Sequence, residues 1–360
     1  MKFNLPPTRL VALGLAGLLA GCTHVGPKTV AVDRFDYSSA IADSWKQQTL
    51  LNIVKLRYMD LPVFVDVSSV VSGYSLETGM TVGGSFPETT SFGGNTATLE
   101  GSAKFTDRPT ITYVPMTGEK FLRGLVTPID PKNIFFMLQA GYPADFLLGL
   151  TVESLNGVRN RSASAGAIRD ADPEFTQALR LLREVQIEGA VGMRVEEDKA
   201  KNATAVLFFR GEDIFDDTKQ KIAEIRRLLK LPAEGQKYTL TYSPIRGAEG
   251  ELGVNSRSML QIMQAFASYA EVPEAHVKDH SATPTPKVSS PEIQSGGVRI
   301  RSGKEKPAHA FVAVPYRDHW FWIEDGDWQT KRALTAVMFF FSLADTADTG
   351  KIPLITIPAQ

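Results

Sequence analysis

The chain is poor in the residues from which most chemistry is built. It has one cysteine, Cys22, and five histidines in 360 residues. A single cysteine excludes an internal disulfide framework and a cysteine-based metal or redox pair. No phosphate-cradling glycine loop, dinucleotide fingerprint or H-E-x-x-H zinc motif occurs, and no G-x-S-x-G elbow marks a serine nucleophile. An excess of one charge sign is missing too: 39 Lys and Arg stand against 40 Asp and Glu. That balance argues against nucleic acid as a partner and against a polybasic membrane surface. Nor is there an apolar run of the ~20 residues that a membrane-spanning helix needs. What remains is ordinary: 43% hydrophobic and 9% aromatic residues, enough to bury a core.

The N-terminus has the three parts of an export signal. Lys2 and Arg9 give it positive charge, and no acidic residue precedes Cys22. Leu10 to Leu19 form an apolar run, too short to span a bilayer. Leu19-Ala20-Gly21-Cys22 follows and uses the only cysteine. This tetrad resembles the lipobox of bacterial lipoproteins. The resemblance implies cleavage between Gly21 and Cys22, a diacylglyceryl thioether on Cys22 and a fatty-acylated (palmitate-type) amine. Two or more acyl chains hold a protein stably at a membrane. Thr23 follows Cys22 where an Asp would, in enteric-type lipoproteins, favour the inner membrane. The expected location is therefore the outer membrane, facing the periplasm. Residues 1–21 read as the signal peptide and 22–32 as a lipidated tether, reaching at most about 35 Å. Loss of Lys2 and Arg9 leaves 39 − 2 = 37 basic residues against 40 acidic ones, a charge of −3.

The rest reads as α+β: helices, antiparallel strands and a long β-hairpin, with a small C-terminal α+β module. A helix is expected over 36–59, where Leu50, Leu51, Val54 and Tyr58 share a side, and Pro62 precedes a strand at 63–67. Asp172-Pro173-Glu174 has the form of a helix start. Residues 213–230 carry Asp213, Asp216 and Asp217 early and Arg226, Arg227 and Lys230 late, which suits the helix dipole. A further helix is expected from Ser258 to Ala270, and strands at 108–114, 205–209 and 238–242. These elements make a main domain over 33–280. Residues 281–292 (SATPTPKVSSPE) read as a linker. The module at 293–360 has strands at 298–300, 311–314 and 320–323, a helix from Asp327 to Leu343, and a last strand from Pro353 to Ile357.

Residues 74–107 carry the sharpest pattern. Tyr74, Leu76, Thr78, Met80, Val82, Gly84 and Phe86 alternate with Ser75, Glu77, Gly79, Thr81, Gly83 and Ser85. After PETTSFGGNT the alternation resumes, with Ala97, Leu99, Gly101, Ala103 and Phe105 against Thr98, Glu100, Ser102 and Lys104. A period of two over two such runs predicts a hairpin with one apolar and one polar side. A β-strand crosses a bilayer in ~9–11 residues, with aromatics favoured near its ends. Tyr74, Leu76, Met80, Val82, Phe86, Leu99 and Phe105 are thus candidates for a membrane or oligomer face. One hairpin cannot span alone; at least about four copies would close the smallest membrane barrel. The design resembles, in general plan, outer-membrane export pores built from lipoprotein subunits. A soluble half-buried hairpin gives the same alternation, and Thr78, Gly84, Gly101 and Ala103 dilute the apolar side.

Chemical candidates are sparse. His276 and His280 would share a helix face, with Asp279 adjacent, a spacing that can hold a metal; the Pro273 context favours solvated histidines. His309 and His319 flank a strand pair, with Asp318 and Asp325 near. Tyr316, Trp320, Trp322 and Trp328 concentrate aromatic surface of a kind that stacks on sugars, although alternating core residues give the same pattern. Asp348-Thr349-Gly350 reads as a turn. The runs at 42–70 and 142–160 resemble segments of uncharacterised bacterial lipoproteins, which implies location and no activity. The expectation is a non-enzymatic envelope lipoprotein with no catalytic residue, metal or cofactor, acting as a structural, assembly or binding component. The alternatives are a subunit of an oligomeric pore contributing hairpin 74–107, and an envelope hydrolase. Partners are expected to be the membrane through Cys22, further copies of the chain, or other envelope proteins.

Overall fold

The computed structural model describes residues 27–71, 73–85, 96–164, 167–197, 203–284 and 298–345. The signal segment with Gly21 and Cys22, Phe86, most of the linker and the strand expected at 353–357 lie outside these residues. The architecture is α+β, with a long antiparallel hairpin and a small C-terminal sheet and helix.

The first element, α1 (Pro27–Arg57), is 31 residues long, about 46 Å at ~1.5 Å per residue. It takes in residues 27–32, expected as tether. A proline at the first helical position explains the difference: its fixed φ suits the helix, and its absent N–H is one that a helix start leaves unpaired. Beyond Arg57 the chain turns at Met59, whose φ is 60°. Asn52 then pins the exit, donating from Nδ2 to the Val63 carbonyl at 2.7 Å and accepting from the Val63 N–H at 2.9 Å.

Four strands follow: β1 (Phe64–Val71), β2 (Tyr74–Ser85), β3 (Thr96–Asp107) and β4 (Thr110–Met116). They form two separate two-stranded ladders, β1 with β4 and β2 with β3. Arg108 and Pro109, expected inside a strand, are instead the joint between ladders. Proline has no N–H for a ladder bond, and the Arg108 N–H donates to the Gly73 carbonyl at 2.9 Å.

The larger sheet assembles from β5 (Val152–Leu155), β6 (Val158–Arg159), β9 (Val191–Glu197), β10 (Ala203–Phe209), β11 (Lys237–Tyr242) and β12 (Glu251–Ser256), in the order β6-β5-β12-β11-β10-β9. Only the β11–β12 pairing is parallel. A small hairpin, β7 (Ser162–Ser164) with β8 (Ala167–Arg169), lies between β6 and β9 in sequence. Helices α2 (Glu119–Val126), α3 (Pro131–Gln139), α4 (Ala144–Thr151), α5 (Pro173–Ile187), α6 (Asp216–Leu228) and α7 (Met259–Ser268) accompany this sheet. α6 is shorter than expected because both flanks turn left-handed: φ is 56° at Asp213 and 55° at Lys230. α7 starts on a reciprocal cap, the Ser258 hydroxyl accepting from the Gln261 N–H and the Gln261 side chain from the Ser258 N–H.

After α8 (Glu274–Lys278) come β13 (Arg301–Gly303), β14 (Ala310–Tyr316), β15 (His319–Glu324) and α9 (Trp328–Asp345), the strands ordered β13-β15-β14. This is the expected C-terminal sheet and helix, but its core is not its own. Val312, Val314, Phe321, Ile323, Leu334, Val337 and Phe340 are buried in one cluster with Leu50, Ile53, Ile262 and Phe266. The Tyr58 ring meets Phe321 at 6.1 Å and the Phe64 ring meets Phe341 at 4.8 Å.

The compact units divide elsewhere than at the linker: Met1–Ser44 with Val65–Pro115 form one, and Trp45–Phe64 with Met116–Gln360 the other. The second unit, the body, holds the buried core. A buried polar network stiffens it: the Arg257 guanidinium contacts Glu153 at 2.9 Å, the carbonyls of Gly149 and Leu150, and that of Arg161. Burial pulls the Arg257 pKa down. Glu153 also receives Arg169 at 3.1 Å.

Candidate functional site

The β2–β3 ladder runs through twelve pairs without a slip, from Tyr74 opposite Asp107 to Ser85 opposite Thr96. Since consecutive residues alternate sides, the register sorts the positions. Leu76 opposes Phe105, Met80 opposes Gly101 and Val82 opposes Leu99 on one side; Glu77 opposes Lys104 and Thr81 opposes Glu100 on the other. Six of the seven hairpin residues singled out from sequence therefore fall on one side; Phe86 lies outside the described residues. The ladder adds a residue the alternation did not count. Asp107 sits opposite Tyr74, so the last pair of the apolar side includes an acidic position.

Small residues keep the strands regular. A Cβ at Gly79 would come within 2.8 Å of the Ser102 hydroxyl, and one at Gly73 within 3.3 Å of the Arg108 carbonyl. Twelve residues at ~3.3 Å make a ribbon about 40 Å long, or about 30 Å in projection at a strand tilt of ~40°, matching a hydrocarbon layer of ~30 Å. The β1–β4 ladder continues the chain on the other side of the joint, with Val71, Ile111, Tyr113 and Val114 exposed.

Among the described residues the β2–β3 ladder has two strands, so each presents one edge to which no other described strand is paired, and roughly half its N–H and C=O groups point away from the ladder. A two-stranded ribbon is marginal in water by itself, and an open edge is a template for another strand. Among residues of the first unit whose side chains are described, none is buried. That includes the first half of α1, where Phe35 is 74% exposed.

A second arrangement lies in the body and was not read from sequence. The Tyr58 hydroxyl lies 2.8 Å from His276 Nδ1, and the His276 and His319 rings meet edge-on at 4.7 Å. The Tyr316 hydroxyl donates to Asp60, and Arg317 lies 3.7 Å from the same carboxylate and 5.0 Å above the Tyr58 ring. Burial pushes the Tyr58 phenol up to about 12, partly opposed by Arg317 and Arg57. Burial and then His319 pull His276 below the ordinary histidine range. Burial thus disfavours the Tyr58 phenolate, and the direction of its hydrogen bond to His276 follows the imidazole tautomer. No signal in sequence joins Tyr58 to His276, because 218 residues separate them.

The remaining candidates disperse. α8 ends at Lys278 and His280 has a φ of 60°, so the two histidines do not share a helix face. Among the described residues no group of three His, Cys, Asp or Glu gathers around a possible ion. Asp325 pairs with Lys331 at 2.7 Å, away from a triad with His319. Trp320 lies under Lys306 and Trp328 under Arg332, on different elements rather than on one platform. A cavity of about 300 Å³ between α3, α4, α5 and β9 is lined by Phe135, Leu148, Leu182, Met193 and Leu207, with Arg183 and Gln186 at its polar part. Gln186 is spent on the Ala144 N–H and the carbonyls of Leu138 and Tyr142. Among the described residues no helix is long and apolar enough to cross a membrane. No protein-family model, curated protein or solved structure matches the chain.

Proposed function

We propose that the chain is an envelope lipoprotein without enzymatic activity, anchored through Cys22 in the outer membrane, whose ribbon joins those of further copies in a membrane β-barrel. One observation carries this reading: a twelve-pair ladder with an apolar side, bilayer-matched length and two open edges. In lipid each unpaired backbone group costs several kcal/mol. Edge-to-edge pairing of ribbons removes that cost, and closure leaves no edge. The occupant of each edge is the same ribbon in a second copy. Symmetric closed assemblies are the rule for homo-oligomers.

The test is crosslinking of the lipidated protein in its native membrane, followed by mass determination of the assemblies. A single closed species of at least about four copies, retained in the membrane when Cys22→Ala removes the anchor, is the expected result. A soluble monomer after Cys22→Ala contradicts it. A second reading, a periplasm-facing binding component whose ribbon pairs with a different envelope protein, draws on the dilution of the apolar side by Thr78, Gly84, Gly101 and Ala103. A crosslinked species of mixed composition would favour it.

A further inference from the structure

We infer that the polar side of the ribbon gives the assembled barrel a cation-preferring lumen, with Glu100 as the residue that sets the preference. This rests on the barrel reading above. Twelve positions of β2 and β3 fall on the polar side by register. Three of them, Glu77, Glu100 and Lys104, are charged, and every other one is Gly, Ser or Thr. Within β2 and β3 these three are therefore the charged positions of that side.

Their placement along the ladder is unequal. Glu77 and Lys104 stand directly opposite one another, the arrangement in which opposite charges offset. Glu100 stands opposite Thr81, and its diagonal neighbours across the ladder are Gly79 and Gly83. On its own strand Thr98 and Ser102 flank it on the same side. On β2 and β3 no Lys or Arg stands at its level. Lys104 is four residues along, about 13 Å away, beyond the ~8–10 Å over which charges act through physiological salt. Each ribbon therefore contributes −2 + 1 = −1 to the lumen. Rotational symmetry repeats Glu100 at one height in every copy. A ring of carboxylates of this kind admits cations and repels anions. The apolar side adds a boundary: Asp107, opposite Tyr74, marks where that side leaves the hydrocarbon.

The test uses the full lipidated chain reconstituted in planar bilayers under a KCl gradient, with reversal potential as the readout. Lys104→Gln takes the ribbon charge to −2, Glu100→Gln to 0 and Glu100→Lys to +1, against −1 for the parent. The expected order of cation preference is Lys104→Gln, parent, Glu100→Gln, Glu100→Lys, with the sign of the reversal potential inverted in the last. The two neutral replacements bracket the parent and keep the test intact should Glu100→Lys fail to assemble. Conducting assemblies that prefer anions, or whose reversal potentials ignore this order, overturn the lumen inference while leaving the barrel. Absence of both conductance and a closed assembly removes the barrel reading and the inference together.

Discussion

The two units of the chain follow opposite rules. The body hides its apolar residues: Leu50, Ile134, Phe266, Phe321 and Phe340 share one cluster and are almost wholly inaccessible. The ribbon unit has no buried residue among those whose side chains are described, yet its β2–β3 ladder holds one register through twelve pairs. A body residue is chosen by what it touches within the protomer. On the polar side of the ribbon, Glu77, Thr81, Ser102 and Lys104 are exposed, so nothing packed within the protomer selects them.

The comparison is broken most forcefully from the body side. Phe266→Ala removes a fully buried ring from the cluster and should cost about 3–5 kcal/mol of unfolding free energy, read by denaturant titration. Arg257→Ala, which takes the donor from the carbonyls of Gly149, Leu150 and Arg161 and leaves Glu153 to Arg169 alone, should cost about 1–3 kcal/mol. Leu76→Ala in the ribbon should leave the same titration of the Cys22→Ala protein in detergent almost unmoved. An equal loss there would mean that the ribbon is ordinary core.

From the ribbon side, Val82→Lys places a charge near the middle of the apolar side. On a lipid-facing β-strand this costs about 2–4 kcal/mol per copy. Closed assemblies should vanish from crosslinking gels while the thermal midpoint of the body stays put. Excision is gentler still for the body. The Gly73 carbonyl and Arg108 N–H already meet at 2.9 Å, so an Asn-Gly turn can replace residues 74–107. Body stability should change by less than about 1 kcal/mol, as for surface changes away from packed features, with assembly abolished.

The smallest effect is one of pH and sharpens the boundary of the body. His276 faces His319, Arg317, Asp279 and Asp318, and is held neutral below the ordinary histidine range. The unfolded chain then binds the proton more readily than the fold, so this stability is full above pH ~6.5 and is lost as pH falls through the lowered value. The thermal midpoint should drop slightly between pH 7.5 and 5.5, and His276→Gln should flatten that slope. Assembly through the ribbon, which has no histidine, should not share this dependence.

Local rules made much of this legible in the sequence. The Asp172-Pro173-Glu174 start, the Ser258 cap and the alternation at 74–107 each depend on neighbours within a few residues, and each marks an element that is present. What was not legible depends on distance along the chain. Nothing local joins Tyr58 to His276 or Asp60 to Tyr316. The Ser/Thr/Pro stretch at 281–292 looked like a domain boundary because composition reports stiffness and hydration, whereas Ile300 and Phe321 return to the cluster around Leu50 and Phe266. The start of α1 lies ahead of the expected helix because Pro27, a residue typical of tethers, also suits the first helical position.

What the two sides of the ribbon face decides between lipid and water. Cys22 is the one native cysteine, and its acylation under the proposed function would leave a cysteine introduced at a ribbon position as the only free thiol, so spin labels can be placed one at a time from Tyr74 to Ser85. In the lipidated protein reconstituted in vesicles, labels at Leu76, Met80 and Val82 should collide with dissolved oxygen, which concentrates in lipid. Labels at Glu77, Thr81 and Ser85 should collide with a water-soluble nickel chelate. The two accessibilities should oscillate in antiphase with a period of two. Both sides accessible to the nickel chelate, without antiphase, would place the ribbon in water and contradict the barrel.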